Sequence, residues 1–180
     1  MSKKVLVIST SLRKGSNSEI LAESFLAGAR EAGNQGEIIS LRGKSLNFCL
    51  GCLTCQKTQK CVIADSAAEI IGKMREAEVI AFATPIYYYE ISGQMKTLLD
   101  RANPLFTTQY AFRDIYLLAT AAEEDSTAVA RAVSGLEGWI DCFEEASLAG
   151  TVFAGGVTDP REIEGHPALQ KAYELGLKIR

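Results

Sequence analysis

Residues 10–18 place the hydroxyls of Thr10, Ser11, Ser16 and Ser18, the amide of Asn17 and the guanidinium of Arg13 around one glycine, Gly15. Short donors at this density suit an anion, and a single terminal phosphate better than a bridging pyrophosphate. A dinucleotide loop needs G-x-G-x-x-G and a nucleoside triphosphate loop needs G-x-x-x-x-G-K-[ST], and the stretch has neither. The same residue types also make a polar turn with a helix cap, so the loop alone leaves both readings open.

A second stretch, residues 84–92, reads TPIYYYEIS and sets Tyr87, Tyr88 and Tyr89 behind Pro85 and Ile86. Neighbouring side chains in a loop point in different directions, so three tyrosines are not all core. Aromatic area beside an anion site suits a flat conjugated ligand. Alternatively, one ring packs inward while the others cover a subunit contact.

The third stretch is Cys49, Cys52, Cys55 and Cys61, spaced C-x2-C-x2-C-x5-C. Four thiolates could hold a cubane iron–sulfur cluster, whose ferredoxin runs share the C-x2-C-x2-C opening. Residues 56–60, as a flexible turn, would let Cys61 swing back to that cluster, with Lys57 and Lys60 offsetting its charge. Zinc also takes four thiolates, usually from two separated knuckles. Reduced or disulfide-bonded thiols are the third reading. Cys142, near Trp139 on an apolar helix, is expected to be a buried thiol.

The elements that must position these stretches follow from hydrophobic pattern. Apolar runs at residues 5–8, 36–41, 79–84, 114–120 and 148–154 predict five strands. Helical periodicity predicts five helices: one after Ser16, one after Ser66, one after Ser92, one over 129–143 and one from about residue 167. Ser16 with Glu19 and Ser66 with Glu69 read as capping boxes, and Ser92 as a cap. His166 is expected at the surface or as a cap, and Asp100 with Arg101 as an ion pair or subunit contact. Strand–helix alternation specifies an α/β domain, a parallel sheet in order 2-1-3-4-5 with helices on both faces. That order puts the switch point between the first and third strands, where the loops after residues 9 and 84 should meet.

Composition narrows the class. With 180 residues, 47% hydrophobic and 23% charged, the chain reads as one globular domain spanning 1–180, with a cysteine-rich loop at 46–65. A net charge of −3 without a basic stripe argues against nucleic acid. No apolar run approaches a membrane span, no signal-peptide core is evident, and clustered cysteines favour a cytoplasmic home. Receiver-type acidic residues and a phosphatase cysteine are missing after the first strand, and G-x-S-x-G is missing from the chain.

An aromatic ring plus a single phosphate describes flavin mononucleotide, FMN. At this point the chain resembles the flavodoxin-like NADPH-dependent FMN reductase family, especially its iron–sulfur flavoprotein branch. The resemblance rests on Ser11-Leu12-Arg13-Lys14-Gly15-Ser16-Asn17-Ser18, Thr84-Pro85-Ile86-Tyr87, Met95-Lys96 with Asp100-Arg101, and the cysteine block. It implies a three-layer flavodoxin-like fold. It also implies FMN held through its phosphate by the first loop (Thr10, Ser11, Arg13, Ser16, Asn17, Ser18), with the ring against Pro85, Ile86, Tyr87, Tyr88 and Tyr89. A third loop, from Thr120 and Ala121 to Asp125, would close over the ring edge. FMN itself would carry the hydride chemistry, so no catalytic side chain is expected. NAD(P)H would be the co-substrate, and a flavin, quinone or other small molecule the acceptor. The alternative is a relay between protein partners such as a ferredoxin, without nicotinamide. A 4Fe–4S cluster on Cys49, Cys52, Cys55 and Cys61 and a homodimer or homotetramer are further implications. Many relatives carry paired acidic residues after the last cysteine; here the pair is Asp65-Ser66.

Overall fold

Two alternating sets of side chains along the central strands build two cores, one on each face of a sheet. The computed structural model describes residues 2–180. Its parallel strands are β1 (Lys4–Ser9), β2 (Gln35–Ser40), β3 (Val79–Tyr87), β5 (Asp114–Thr120) and β6 (Ser147–Ala154). Their spatial order is β2-β1-β3-β5-β6, the order expected from the sequence. Val5, Val7, Ala81 and Leu118 pack against α1 (Asn17–Glu31) and α6 (Pro167–Leu177). Leu6, Ile8, Phe82 and Leu117 pack against α3 (Ala67–Glu76), α4 (Gly93–Arg101) and α5 (Ala130–Ile140). The result is the three-layer flavodoxin-like arrangement. Each large apolar side chain so buried stabilises the fold by ~1.5–3 kcal/mol, so both faces of β1 and β3 must stay dry.

The sheet has six strands rather than the expected five. Residues 84–92 are not a plain loop. Strand β3 continues to Tyr87, Tyr88 and Tyr89 turn at φ 52° and 66°, and β4 (Glu90–Ile91) returns antiparallel. Ile86 pairs with Ile91 across this hairpin, and Ile91 is buried, which ties the turn to the core.

The five expected helices are present, and a sixth, α2 (Thr54–Thr58), replaces the flexible turn expected at 56–60. Ser16 and Ser92 cap α1 and α4 by accepting from Glu19 N–H and Met95 N–H. Ser66 does not cap α3 as expected. Its hydroxyl accepts from Ser45 N–H, and the Asp65 carboxylate takes Ala67 N–H instead. His166 caps α6, its Nδ1 accepting from Ala168 N–H. Helices α1 and α6 cross backbone to backbone: a Cβ on Gly28 would overlap the Tyr173 carbonyl, and one on Gly176 the Phe25 carbonyl. That close approach sets the C-terminal half of α1 directly against α6.

Candidate active site and cysteine cavity

The carboxyl ends of β1, β3, β5 and β6 feed four loops into one crevice of about 200 Å3 at the β1/β3 switch point. Ser11, Arg13, Ser16, Asn17 and Ser18 line one wall, Pro85, Ile86 and Tyr87 another, and Thr120 and Ala121 a third. The two stretches singled out by residue type therefore meet. The first N–H groups of α1 have no acceptor within the helix and carry its positive dipole end, so the wall beside Ser16 favours an anion. Ser9 Oγ, buried at the end of β1, has no hydrogen-bond partner among the described residues.

Three of the residues expected to touch the ligand are not among those lining this crevice. Thr10 is fully buried and its hydroxyl donates to the Ala83 carbonyl while sharing a 3.0 Å hydrogen bond with Ser92 Oγ. It bolts β1 to β3 and to the start of α4. Tyr88 and Tyr89 form the hairpin tip outside the crevice, with Tyr88 97% exposed and the Arg131 guanidinium 5.9 Å from the Tyr89 ring centre. Arg13 and Asn17 line the crevice but are already engaged. Arg13 Nη1 donates to the Thr158 carbonyl, Asn17 Nδ2 donates to the Asp159 carbonyl, and Asn17 Oδ1 accepts from Ile163 N–H. Glu19 does not reach back to complete the capping box; it pairs with Arg42 at 2.9 Å.

Those bonds identify a wall that residue types did not announce. Val157 and Thr158, after β6, line the crevice with Ala122. The signal for it was Gly155-Gly156 directly after a parallel strand: a Cβ on Gly155 would strike the backbone of Glu123 and Glu124, so the loops after β5 and β6 need glycine to touch.

Cys49, Cys52, Cys55 and Cys61 line a second cavity, of about 310 Å3, closed by the end of α4 and by Trp139. Cys55 is buried, with Asn103 Nδ2 donating to its sulfur at 3.1 Å, whereas Cys49 and Cys52 are exposed. Hydrogen bonds from the backbone N–H and then the hydroxyl of Thr54 lower the Cys52 pKa, which favours its thiolate. Cys142 is exposed rather than buried and opens onto this same cavity, because α5 ends at Ile140 and leaves it on the following turn. Among the described residues, no three ligating side chains stand close enough to hold one metal ion.

Arg101 does not pair with Asp100 as expected; Asp100 takes Lys96 at 2.5 Å on the surface. Arg101 turns inward to Asp65, at 2.7 Å, with the two side chains 0% and 2% exposed. Hydrogen bonds from Arg101 hold the Asp65 carboxyl well below the usual carboxylate range, against the opposing cost of burial. Asp65 in turn keeps the guanidinium charged, and the Cys61 thiol beside it acts in the same direction.

Both donor sets match the groups implied by the sequence in ligand type, although among the described residues no three of the thiols are gathered at one point. The crevice offers short hydroxyls and a helix N-terminus to a phosphate, and an apolar wall of Pro85 and Ile86 to a ring. The cavity offers thiols, the ligands that select iron–sulfur clusters or zinc, and a buried guanidinium to balance their negative charge.

Comparison with known proteins places the chain in a family. The model of the NADPH-dependent FMN reductase family matches residues 3–156. An iron–sulfur flavoprotein of Methanocaldococcus jannaschii is 42% identical over 102 residues, covering 57% of this chain and 53% of that protein. The iron–sulfur flavoprotein of Methanosarcina thermophila is 33% identical over 111 residues, 62% of this chain and 58% of its own. The aligned part is thus little more than half the length of either relative. An NAD(P)H:quinone oxidoreductase from Methanothermobacter marburgensis shares the fold over all of both chains, with TM-score 0.71 at 15% identity. The chain belongs to the NADPH-dependent FMN reductase family, a family of oxidoreductases.

Proposed function

We propose that the protein is an FMN-dependent oxidoreductase that takes electrons from NAD(P)H and passes them to a flavin, a quinone or another small acceptor. The observation that carries this reading is the meeting of the hydroxyl-rich loop and the Pro85–Ile86–Tyr87 segment in one crevice at the β1/β3 switch point. Ser11, Ser16, Ser18 and the start of α1 would hold the phosphate, and Pro85, Ile86 and Tyr87 would back the ring. When bound, FMN supplies hydride acceptance and electron release. The chain's own part is to grip the phosphate, orient the ring and leave one face open to a second ligand.

A crevice of about 200 Å3 is smaller than the ~300–1,000 Å3 typical of an enclosing small-molecule site. It covers part of an FMN-sized ligand. Tyr88 and Tyr89 are exposed at the hairpin tip beside it and in this reading would meet a second copy of the chain, in a homodimer or homotetramer.

The second reading is an iron–sulfur flavoprotein that relays electrons between protein partners such as a ferredoxin. It is favoured by four cysteines sharing one cavity with a buried guanidinium. Anaerobic mixing of FMN-loaded protein with NADPH or NADH separates the two. Rapid bleaching of the flavin absorbance, restored by a quinone, supports the reductase. A flavin that bleaches only with reduced ferredoxin overturns it in favour of the relay.

A further inference from the structure

Arg101 is the largest fully buried side chain, on a helix whose neighbouring Asp100 and Lys96 stay at the surface. A guanidinium has five N–H donors. Nη1 donates to the Asn47 carbonyl and to Asp65 Oδ2, both at 2.7 Å. Nη2 donates to the Ile63 carbonyl at 3.3 Å and to Asp65 Oδ1 at 3.0 Å. These acceptors flank the cysteine block, Asn47 just before Cys49 and Ile63 and Asp65 just after Cys61. Asp65 closes the ring by accepting from the Asn47 N–H at 2.8 Å. The one donor left over, Nε–H, is buried with no partner among the described residues, on a residue that lines the cysteine cavity.

An unpartnered donor on a fully buried cation is costly, and native interiors keep few of them. Here it belongs to a residue that lines the space the four thiols share. We propose that Arg101 is a positioning residue of the cysteine site: it ties both ends of the cysteine loop into one frame and presents its remaining Nε–H to the sulfur of Cys61. This rests on the reading of the block as a metal–thiolate site. Partners that orient the ligands of a metal commonly change its retention by ~10–100-fold when removed, and hydrogen bonds to ligand sulfurs set cluster potentials. Lysine would keep the charge but lacks the rigid fork that reaches Asn47, Ile63 and Asp65 together.

The test reconstitutes full-length protein anaerobically with FMN, ferrous iron and sulfide, and compares wild type with Arg101→Lys. FMN per chain reports folding independently of the cysteine cavity. The expected result is unchanged FMN content, cluster loss to a chelator at least ~10-fold faster, and a midpoint potential shifted to more negative values. Cluster retention and potential equal to wild type would overturn the role of Arg101 while leaving the metal–thiolate reading intact. Wild type that binds FMN but takes up no iron and sulfide would overturn that reading and the proposal together. If Arg101→Lys loses FMN as well, the neutral pair Arg101→Gln with Asp65→Asn is read in the same way. Loss of FMN from both variants assigns Arg101 to the fold at large and overturns the proposal.

Discussion

The switch-point crevice is held by loops that hydrogen-bond to one another, whereas the cysteine cavity is closed around one buried ion pair. On the first side, Asn17 bonds the loop after β6 at both ends of its amide, Arg13 bonds Thr158, and the Arg161 N–H donates to the Gly15 carbonyl. Strand ends set the spacing and the loops lock it. On the second side, residues 46–65 contain little regular structure beyond α2, and Phe48, Leu50, Leu53 and Val62 stand exposed. Four hydrogen bonds tie that segment to Arg101, at Asn47, Ile63 and Asp65, beside the contact of Asn103 with Cys55. The contrast separates a site preformed by the fold from one whose order depends on a few polar contacts and, in the proposed function, on its own metal.

The sharpest way to break this comparison is Asp65→Ala. It strands a buried guanidinium and should cost ~3–5 kcal/mol in denaturant unfolding. Hydrogen exchange should then quicken across residues 46–65 while residues 10–18 keep their protection. Equal loosening of both regions would show that the ion pair serves the whole fold rather than the cavity.

Asn17→Ala probes the other side. It removes bonds to Asp159 and Ile163 at 2.9 and 3.2 Å. The expected cost is ~1–3 kcal/mol, because the Ile163 N–H is left buried without its acceptor. FMN affinity should fall with it, and exchange at residues 46–65 should not change.

Acid distinguishes the regions again. The folded-state pKa of Asp65 lies below its unfolded value, chiefly through Arg101. Its stabilisation is therefore complete above the unfolded pKa of ~3.9 and lost as pH falls through the native value. The stability advantage of wild type over Asp65→Asn should be flat above about pH 5 and shrink as pH drops below about 4. An advantage that persists undiminished to about pH 2 would contradict the ion-pair account.

The smallest effect concerns the hairpin tip. Tyr88 and Tyr89 both sit at positive φ, where a two-residue turn prefers Asn-Gly. Replacing them by that pair should raise stability by ~1 kcal/mol in thermal melts. No gain would mean the rings repay their backbone cost through contacts such as Arg131 on Tyr89.

The sheet order was legible because β-branched runs alternate with capped helical stripes and right-handed crossovers leave few routes. The crevice was legible because its hydroxyls and tyrosines follow strands directly. Residue type could not say where a hydroxyl points: Thr10 donates to the Ala83 carbonyl and does not line the crevice. Tyr88-Tyr89 concealed a hairpin because the pair is not the chemistry such a turn prefers. Cys142 looked buried on a helix drawn to residue 143, and its exposure follows from the earlier end of α5. Arg101 looked like a surface charge beside Asp100, since a partner at Asp65 is set by tertiary packing and leaves no local pattern.

The central claim is that the loop at residues 10–18 grips a phosphate, and parallel titration of ligand-free protein with FMN and with riboflavin tests it most directly. With hydrogen bonds to a charged group worth ~1.5–3 kcal/mol each, two or more of them should make FMN at least ~100-fold tighter. Equal affinity for the two ligands would contradict the claim.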